Sequence, residues 1–151
     1  MVTFSTGNHG LSVATSARLF ELPAIVVVPE GTNPVKINLI QEAGAEVVEA
    51  GRNFDKSSLV VAENSQTTGY YSVHPANEPH LINGVGTEFL EIMHELPDVD
   101  AVILPLGAGS EGASGVPVLK TIEPAIDIYA VQADCSSAAY CSWKHGAIVA
   151  L

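Results

Sequence analysis

The chain has 151 residues, of which 17 are acidic and six are Lys or Arg, so its formal net charge is −11. This charge argues against binding to nucleic acid or to anionic membrane surfaces, because both require clustered positive charge. Hydrophobic residues make up 47% of the chain, yet no apolar run approaches the roughly 20 residues of a membrane span. Without a secretory signal at its start, the sequence predicts a cytoplasmic protein with reduced thiols at Cys135 and Cys141.

Segments with strand and helix patterns alternate along the whole chain. This alternation predicts an α/β fold with a doubly wound parallel sheet, whose ligands bind at the carboxyl ends of strands. The predicted strands cover 2–5, 24–28, 45–50, 70–73, 100–106 and 126–132, and the predicted helices cover 9–21, 34–43, 55–65, 79–95 and 113–122.

The first strand leads into a loop of small and polar residues, Ser5-Thr6-Gly7-Asn8-His9-Gly10, directly before a helix. Free backbone N–H groups and the positive end of the helix dipole favour an anion at such a place. A capped turn that binds no ligand is an equally ordinary interpretation of this loop taken alone.

The second helix has clear end signals, since Asn33 and Pro34 form an N-cap and first-turn pair and Gly44 closes it. Lys36, near its start, is interpreted as a solvated charge. Among the histidines, His74, His80 and His94 lack the short spacing of zinc sites, so no metal site is predicted.

Polar residues cluster from Asn64 to Tyr71 and predict a domain boundary there. The following helix carries an apolar stripe that Gly84 and Gly86 interrupt. Each glycine weakens a helix by about 1 kcal/mol relative to Ala, which favours close packing at this point. The stripe consists of Ile82, Val85, Phe89, Ile92, Met93 and Leu96.

A glycine-rich loop, Gly107-Ala108-Gly109-Ser110-Glu111-Gly112-Ala113-Ser114-Gly115, follows the buried strand over 100–106. Glycines let the backbone approach a ligand closely, and successive N–H groups form a concave anion site. Two such loops in one chain suggest two anionic groups bound near each other. Glu111 is expected to face solvent, because its carboxylate would repel a phosphate.

Together, the two loops resemble those of the threonine/serine dehydratase group of pyridoxal-phosphate (PLP) enzymes, which have the tryptophan-synthase-β-like fold. The resemblance covers residues 1–145 and is more specific for the fold than for the substrate. Further matching segments are Ala17–Phe20, Ile25–Pro29, Asn33–Lys36, Gly44–Val48, His74-Pro75, Leu81–Thr87 and Leu90–Ile92.

The resemblance implies a lyase that converts a small amino acid into a 2-oxo acid and ammonia by β-elimination, with PLP stabilising the carbanion. Residues 1–68 would be a remnant of the small domain and 69–151 a remnant of the large domain. Their exposed sheet edges favour a homo-oligomer. The residues implied are Asn8 for the pyridine ring, Ser5, Thr6, Gly7 and His9 for the substrate carboxylate, and Gly107, Ala108, Gly109 and Ser110 for the PLP phosphate.

One departure from the family concerns the lysine that bonds PLP. In the family it lies upstream of the Ser-x-Gly-Asn-His loop in a Ser-x-Lys context, whereas only four residues precede Ser5. We therefore expect this chain alone to be inactive and truncated at both ends, with upstream coding DNA that continues in frame through a Ser-x-Lys segment. The lysines present, none in that context, are Lys36, Lys56, Lys120 and Lys144.

Three other interpretations stay open. The run 107–112 also fits the G-x-G-x-x-G fingerprint of NAD-binding domains, with Asp127 and Asp134 bracketing the expected acidic position, but this leaves the first loop unexplained. The run 108–112 nearly matches a hydrolase nucleophile elbow, although Ser110 is favoured as a phosphate ligand. The third interpretation is a non-catalytic remnant of the fold that binds a small anion. Within the family, racemases and threonine synthases share these loops with the dehydratases, so the loops do not identify the amino acid used.

Overall fold

The computed structural model describes residues 1–149. Its contacts divide the chain into two compact units, Met1–Pro75 and Ala76–Leu151. Both units are built from parallel strands that alternate with helices, which confirms the predicted α/β class. The strands form two separate sheets, one in each unit.

The first unit contains a three-stranded parallel sheet in the order β1-β2-β3. Val2 of β1 lies opposite Ile25 of β2, and Val26 of β2 lies opposite Val47 of β3. The elements are β1 Val2–Phe4, α1 Asn8–Leu19, β2 Ile25–Val28, α2 Pro34–Glu42, β3 Glu46–Glu49 and α3 Phe54–Thr68.

Strand β2 is the centre of the first unit, and Val26, Val27 and Val28 have no exposed surface. Val26 and Val28 pack on one face of the sheet with Ala14, Ala17 and Ile40 of helices α1 and α2. Val27 packs in a second cluster with Val2, Phe4 and Val61. A strand buried on both faces explains why 25–28 is a continuous apolar run rather than an alternating one.

Two segments of the first unit differ from their predicted extents. The predicted strand over 70–73 is a single bridge, between Ser72 and Val2, because the segment meets only the first residue of the short strand β1. Helix α3 continues through the polar residues up to Thr68, whose hydroxyl donates to the carbonyl of Asn64 at 2.7 Å. Such hydroxyl-to-carbonyl bonds let polar residues remain helical, and Gly69 ends the helix at a φ of 71°.

The second unit contains the parallel pair β4 and β5, in which Ala101 lies opposite Asp127 and Pro105 opposite Val131. Helix α6 was not predicted, because its eight residues are too few for a helical apolar repeat to be recognised. The elements are α4 Pro79–Glu95, β4 Ala101–Pro105, α5 Ser110–Ile122, β5 Asp127–Val131, a 3₁₀ turn at Asp134–Ser136 and α6 Ala138–His145.

Helices α4 and α5 pack closely through glycine. Gly86 of α4 is buried, and a Cβ built on it would lie 3.4 Å from Val118 Cγ2. A Cβ on Gly115 of α5 would lie 2.5 Å from Phe89 Cζ, so a side chain there would overlap the ring. Gly84 has nothing within 4 Å of its Cβ position, so the packing predicted from the two glycines of α4 holds for Gly86 alone.

We expect Gly115→Ala to lower the free energy of unfolding by about 1–3 kcal/mol, because the new methyl group forces Phe89 out of its place in the core. Gly84→Ala, the matched control in an open helical position, should raise it by up to about 1 kcal/mol. Urea denaturation followed by circular dichroism measures both values. Equal effects of the two substitutions would contradict the close approach at Gly115.

Candidate functional site

The loop between β1 and α1 is shaped by the hydroxyl of Ser5. Ser5 is buried, its Oγ accepts a hydrogen bond from the Gly7 N–H at 3.1 Å, and its own N–H donates to the Val27 carbonyl at 3.1 Å. The Ser5 hydroxyl thus stabilises the turn by accepting the Gly7 N–H. Thr6 and Asn8 are exposed on the outside of the loop.

Helix α1 starts without a side-chain cap and without an acidic residue in its first turn. Gly7 is its N-cap and Asn8 its first residue. Gly10 holds this helix start close to the sheet, since a Cβ on it would lie 2.9 Å from Val26 Cγ1. Because no side chain caps it, this helix start has free N–H groups and a positive dipole end that can bind a small anion.

The ring of His9 is directed towards the strand end. Its Nε2 lies 2.8 Å from Thr3 Oγ1 and 3.3 Å from the carbonyl of Val73, and the Thr3 hydroxyl donates to the same carbonyl at 2.6 Å. Because the only hydroxyl hydrogen of Thr3 is used there, Thr3 must accept from an Nε2–H of His9. Burial lowers the pKa of His9, with a smaller lowering from nearby His74 and an opposing effect of the Val73 carbonyl.

Two residues that sequence reasoning missed support this loop. Thr3 is fully buried in an apolar strand, and a hydroxyl in such a place requires a hydrogen-bond partner, which was the available signal. Lys36 is exposed, but its ammonium lies beside the loop, since a Cβ on Gly7 would be 3.6 Å from Lys36 Nζ.

The loop between β4 and α5 leaves open space around its glycines. Gly107 and Ala108 are exposed, and a Cβ on Gly107 or Gly109 would meet nothing within 4 Å. Gly109, the N-cap of α5, has a φ of 97°, a conformation that favours glycine. No side chain caps the helix, which begins at Ser110. Small residues, room and an uncapped helix start fit the phosphate group of PLP.

Glu111, expected to face solvent, is only partly exposed in the first turn of α5. A carboxylate in this position stabilises the helix through the dipole. It therefore competes with any phosphate for the same positive end of the helix.

The predicted site residues fall into two groups, each within one unit. Ser5, Thr6, Gly7, Asn8 and His9 lie together after the carboxyl end of β1. The phosphate-loop residues lie together after the carboxyl end of β4, and they are Gly107, Ala108, Gly109 and Ser110.

The geometry of the second unit leaves one of the two acidic residues considered in the dinucleotide interpretation. Asp127 is the first residue of β5 and lies opposite Ala101, whereas the glycine loop follows the other end of the sheet, after Pro105. The length of β5 therefore places Asp127 about 13 Å from the carboxyl end of the sheet, where the loop after β4 begins. Asp134 lies in the turn after β5, so it alone could take the acidic role.

Among residues 1–149, no group of three or more His, Cys, Asp and Glu side chains is placed to hold a metal ion. No helix in the same part of the chain is both long and apolar enough to cross a membrane.

Comparison with known proteins identifies the family. The family model for pyridoxal-phosphate dependent enzymes matches residues 1–151, and the chain belongs to this family. The L-threonine ammonia-lyase of Geobacter sulfurreducens is 36% identical over 149 residues, covering 99% of this chain and 37% of the relative. The serine racemase of Homo sapiens is 32% identical over 149 residues, covering 99% of this chain and 44% of the relative.

Solved structures give the same result. Maize serine racemase superposes with a TM-score of 0.91 at 28% identity, covering 100% of this chain and 46% of its own. The processed form of threonine deaminase isoform 2 from Solanum lycopersicum superposes with a TM-score of 0.90 at 31% identity, covering 100% of this chain and 44% of its own. These findings confirm the resemblance, the fold and PLP as the cofactor of the family.

The chain spans about two fifths of the length of the curated relatives that it matches. Relatives of comparable identity include both ammonia-lyases and racemases. The comparisons therefore establish a PLP-dependent lyase or racemase family and leave the particular reaction open.

We expect the chain to lose stability on acidification because of His9. Its lowered pKa means that below the unfolded value of about 6.5 the unfolded chain binds the proton more readily, so the free energy of unfolding falls with falling pH. The melting temperature at about pH 7.5 and about pH 5.5 measures this. His9→Gln, which keeps an N–H donor but does not titrate, should show a smaller decrease, whereas Asn8→Ala in the same turn should retain the full decrease. An identical decrease in His9→Gln would contradict the assignment.

Proposed function

We propose that this chain forms the carboxylate-binding and phosphate-binding loops of a PLP-dependent amino-acid lyase of the threonine/serine ammonia-lyase type. The observation that carries the proposal is the pair of uncapped helix starts, at α1 and α5, each following the carboxyl end of a parallel strand. Support for the lyase reaction comes from the L-threonine ammonia-lyase relative, which is aligned with 99% of the chain.

In the proposed site, the first loop receives the carboxylate of a small amino acid. The backbone N–H groups at Asn8 and His9 point along the helix axis towards the ligand, and the helix dipole stabilises its charge. Thr6 and Gly7 line the approach, while Ser5 holds the turn from behind through its bond to the Gly7 N–H. The exposed side chain of Asn8 is assigned to the pyridine ring.

The second loop is proposed to hold the phosphate of PLP. Gly107 to Ser110 present backbone N–H groups without a Cβ that would block the approach at either glycine. When bound, PLP supplies an electron sink that stabilises the negative charge formed at the substrate α-carbon. The chain's own contribution is to fix the phosphate, and with it the position of the ring.

Serine racemisation is the second candidate function. The serine racemase relatives of Homo sapiens and maize align with 99% and 100% of the chain, as the ammonia-lyase relative does. Both reactions require a carboxylate and a phosphate held in fixed positions. Groups outside these two loops must therefore decide between racemisation and elimination.

Self-association and a cytoplasmic location complete the proposal. The hydrophobic side chains of Ile103, Tyr129 and Val131 on the two-stranded sheet are 73%, 55% and 54% exposed, which favours burial against another surface. Cys135 and Cys141 form no disulfide within residues 1–149, which supports a reducing compartment.

We expect non-covalent PLP binding to depend on the charge at the second loop. Gly109→Asp should abolish binding by placing a carboxylate in the phosphate position, whereas Gly109→Asn, of the same shape but neutral, should weaken it less. Glu111→Ala should bind equally well or up to about fivefold more tightly, since a charge at a helix start contributes up to about 1 kcal/mol. Titration of the chain with PLP, followed by phosphorus NMR, measures these affinities. Preferential binding of NAD would support the dinucleotide interpretation instead.

We also expect no lysine of this chain to bond PLP stoichiometrically. The chain is mixed with PLP, reduced with borohydride and mapped by peptide mass spectrometry, which detects modified lysines whatever the activity. Trace, scattered labelling is the expected result. One stoichiometric adduct would show that the PLP-bonding residue had been placed wrongly, and the candidates are Lys36, Lys56, Lys120 and Lys144.

A further inference from the structure

Leu106 connects strand β4 to both ends of the second loop. It directly precedes Gly107, and a Cβ built on Gly112, the third residue of α5, would lie 3.3 Å from Leu106 Cδ1. The loop has little else to hold it, because within residues 1–149 no hydrogen bond involves Gly107 or Ala108. The position of Leu106 therefore determines where the loop backbone lies.

Both polar groups of the Leu106 backbone are held by the neighbouring chain segment. Its N–H donates to the carbonyl of Val131, the last residue of β5, at 2.8 Å. Its carbonyl accepts from Nε2 of Gln132 at 3.0 Å. In a longer parallel pair this carbonyl would accept the backbone N–H of the residue after Gln132, but the pairing ends at Val131. The Gln132 side chain thus replaces a backbone hydrogen bond at the point where the ladder stops.

The carboxamide of Gln132 also binds the start of α6. Its Oε1 accepts from the Tyr140 N–H at 2.9 Å, in the first turn of a helix whose N-cap, Ser137, makes no side-chain cap bond. The Leu106 carbonyl can only accept and the Tyr140 N–H can only donate, so this position requires a side chain that does both. A carboxylate of the same shape would keep the bond to Tyr140 and lose the bond to Leu106.

The bond to Leu106 acts on the loop through a planar peptide group. The Leu106 carbonyl and the Gly107 N–H belong to one peptide unit, so fixing the carbonyl also fixes the direction of the N–H. Gly107 has no side chain, and nothing lies within 4 Å of its Cβ position to limit rotation of this unit. A hydrogen bond to the carbonyl also polarises the peptide, which makes its N–H a stronger donor.

We propose that Gln132 is a positioning residue for the phosphate of PLP. The inference rests on the proposed function of the second loop and adds to it a side chain from beyond the end of the other strand. Gln132 acts through Leu106. By holding the Leu106–Gly107 peptide in one orientation, it keeps the Gly107 N–H directed for donation to the phosphate.

The test compares two substitutions of Gln132 in titrations of the chain with PLP and with inorganic phosphate, followed by phosphorus NMR. Gln132→Met keeps the length of the side chain without either hydrogen bond, and Gln132→Glu keeps only the acceptor for Tyr140. Both should weaken the binding of both ligands about three- to tenfold, the range for one lost hydrogen bond. Because methionine adds no charge, a loss shared by the two variants is not an effect of charge. Gln66→Glu, the same charge change at an exposed position of α3, should bind as the unaltered chain does.

Two spectroscopic signals separate the loop from the start of α6. The carbonyl carbon resonance of Leu106 in the ligand-free chain should move upfield in both variants, because its hydrogen-bond donor is lost. The amide resonance of Tyr140 should change in Gln132→Met and stay near its position in Gln132→Glu, which retains the acceptor. The melting temperature of either variant should fall by no more than about 6 °C, as the loss of two ordinary hydrogen bonds implies.

The outcomes distinguish the inference from the function on which it rests. Equal affinities of Gln132→Met and the unaltered chain would overturn the role of Gln132 and leave the loop as the phosphate site. Weaker binding by Gln132→Met alone, or unfolding of both variants at the titration temperature, would show a structural role and overturn the inference as well. A loss for PLP that inorganic phosphate does not share would place the effect away from the phosphate, with the same consequence. Failure of the unaltered chain to bind either ligand would overturn the proposed function of the loop together with the inference.

Discussion

Parallel pairing of short strands is the constraint on which the rest of this structure depends. In a parallel pair, every strand must be followed by a crossover, so each strand end leads directly to the start of a helix. At β1 and at β4 the chain leaves that helix start without a capping side chain. A globular protein normally satisfies such N–H groups with a side chain, water or a ligand. Both loops thus retain hydrogen-bonding capacity that the described side chains do not use.

The two loops are kept open in different ways. The loop after β1 is built from polar residues, and the Ser5 hydroxyl and the Thr3–His9 bond hold its shape from the side of the sheet. The loop after β4 relies on the absence of side chains at Gly107 and Gly109. This difference suits their proposed ligands. A substrate that enters and leaves requires a firmly shaped receiving surface, whereas a resident phosphate requires close backbone approach.

Local sequence signals predicted most of the fold and both loops, but they failed where long-range contacts decide. Asn33 and Gly44 marked the ends of α2 correctly because capping depends on neighbouring residues alone. Helix α6 has only eight residues, which are too few to show a clear helical repeat. The segment 70–73 had the composition of a strand. In the structure it forms only one bridge, between Ser72 and Val2, the first residue of β1.

The same distinction applies to the site. The residues of the Ser5–His9 loop could be proposed from the sequence because they are adjacent in it. Thr3 and Lys36 were missed because their contribution depends on the packing of β1, α1 and α2. Lys36 was interpreted as a solvated charge. Its side chain is indeed exposed, but its ammonium also lies beside Gly7 of the first loop. A cation in the first turn of a helix without an acidic neighbour was the signal available in the sequence.

The close approach of Gly10 to Val26 links the hydrophobic core to ligand affinity. Since no Cβ separates helix α1 from β2, the side-chain volume at Val26 sets the height of the helix start above the sheet. A larger side chain there would lift the Asn8 and His9 amides away from the anion proposed to bind them, while leaving every polar residue of the loop intact. Across related sequences, positions 10 and 26 should therefore vary together, because a change in the volume of a fully buried valine alters the position of the α1 start.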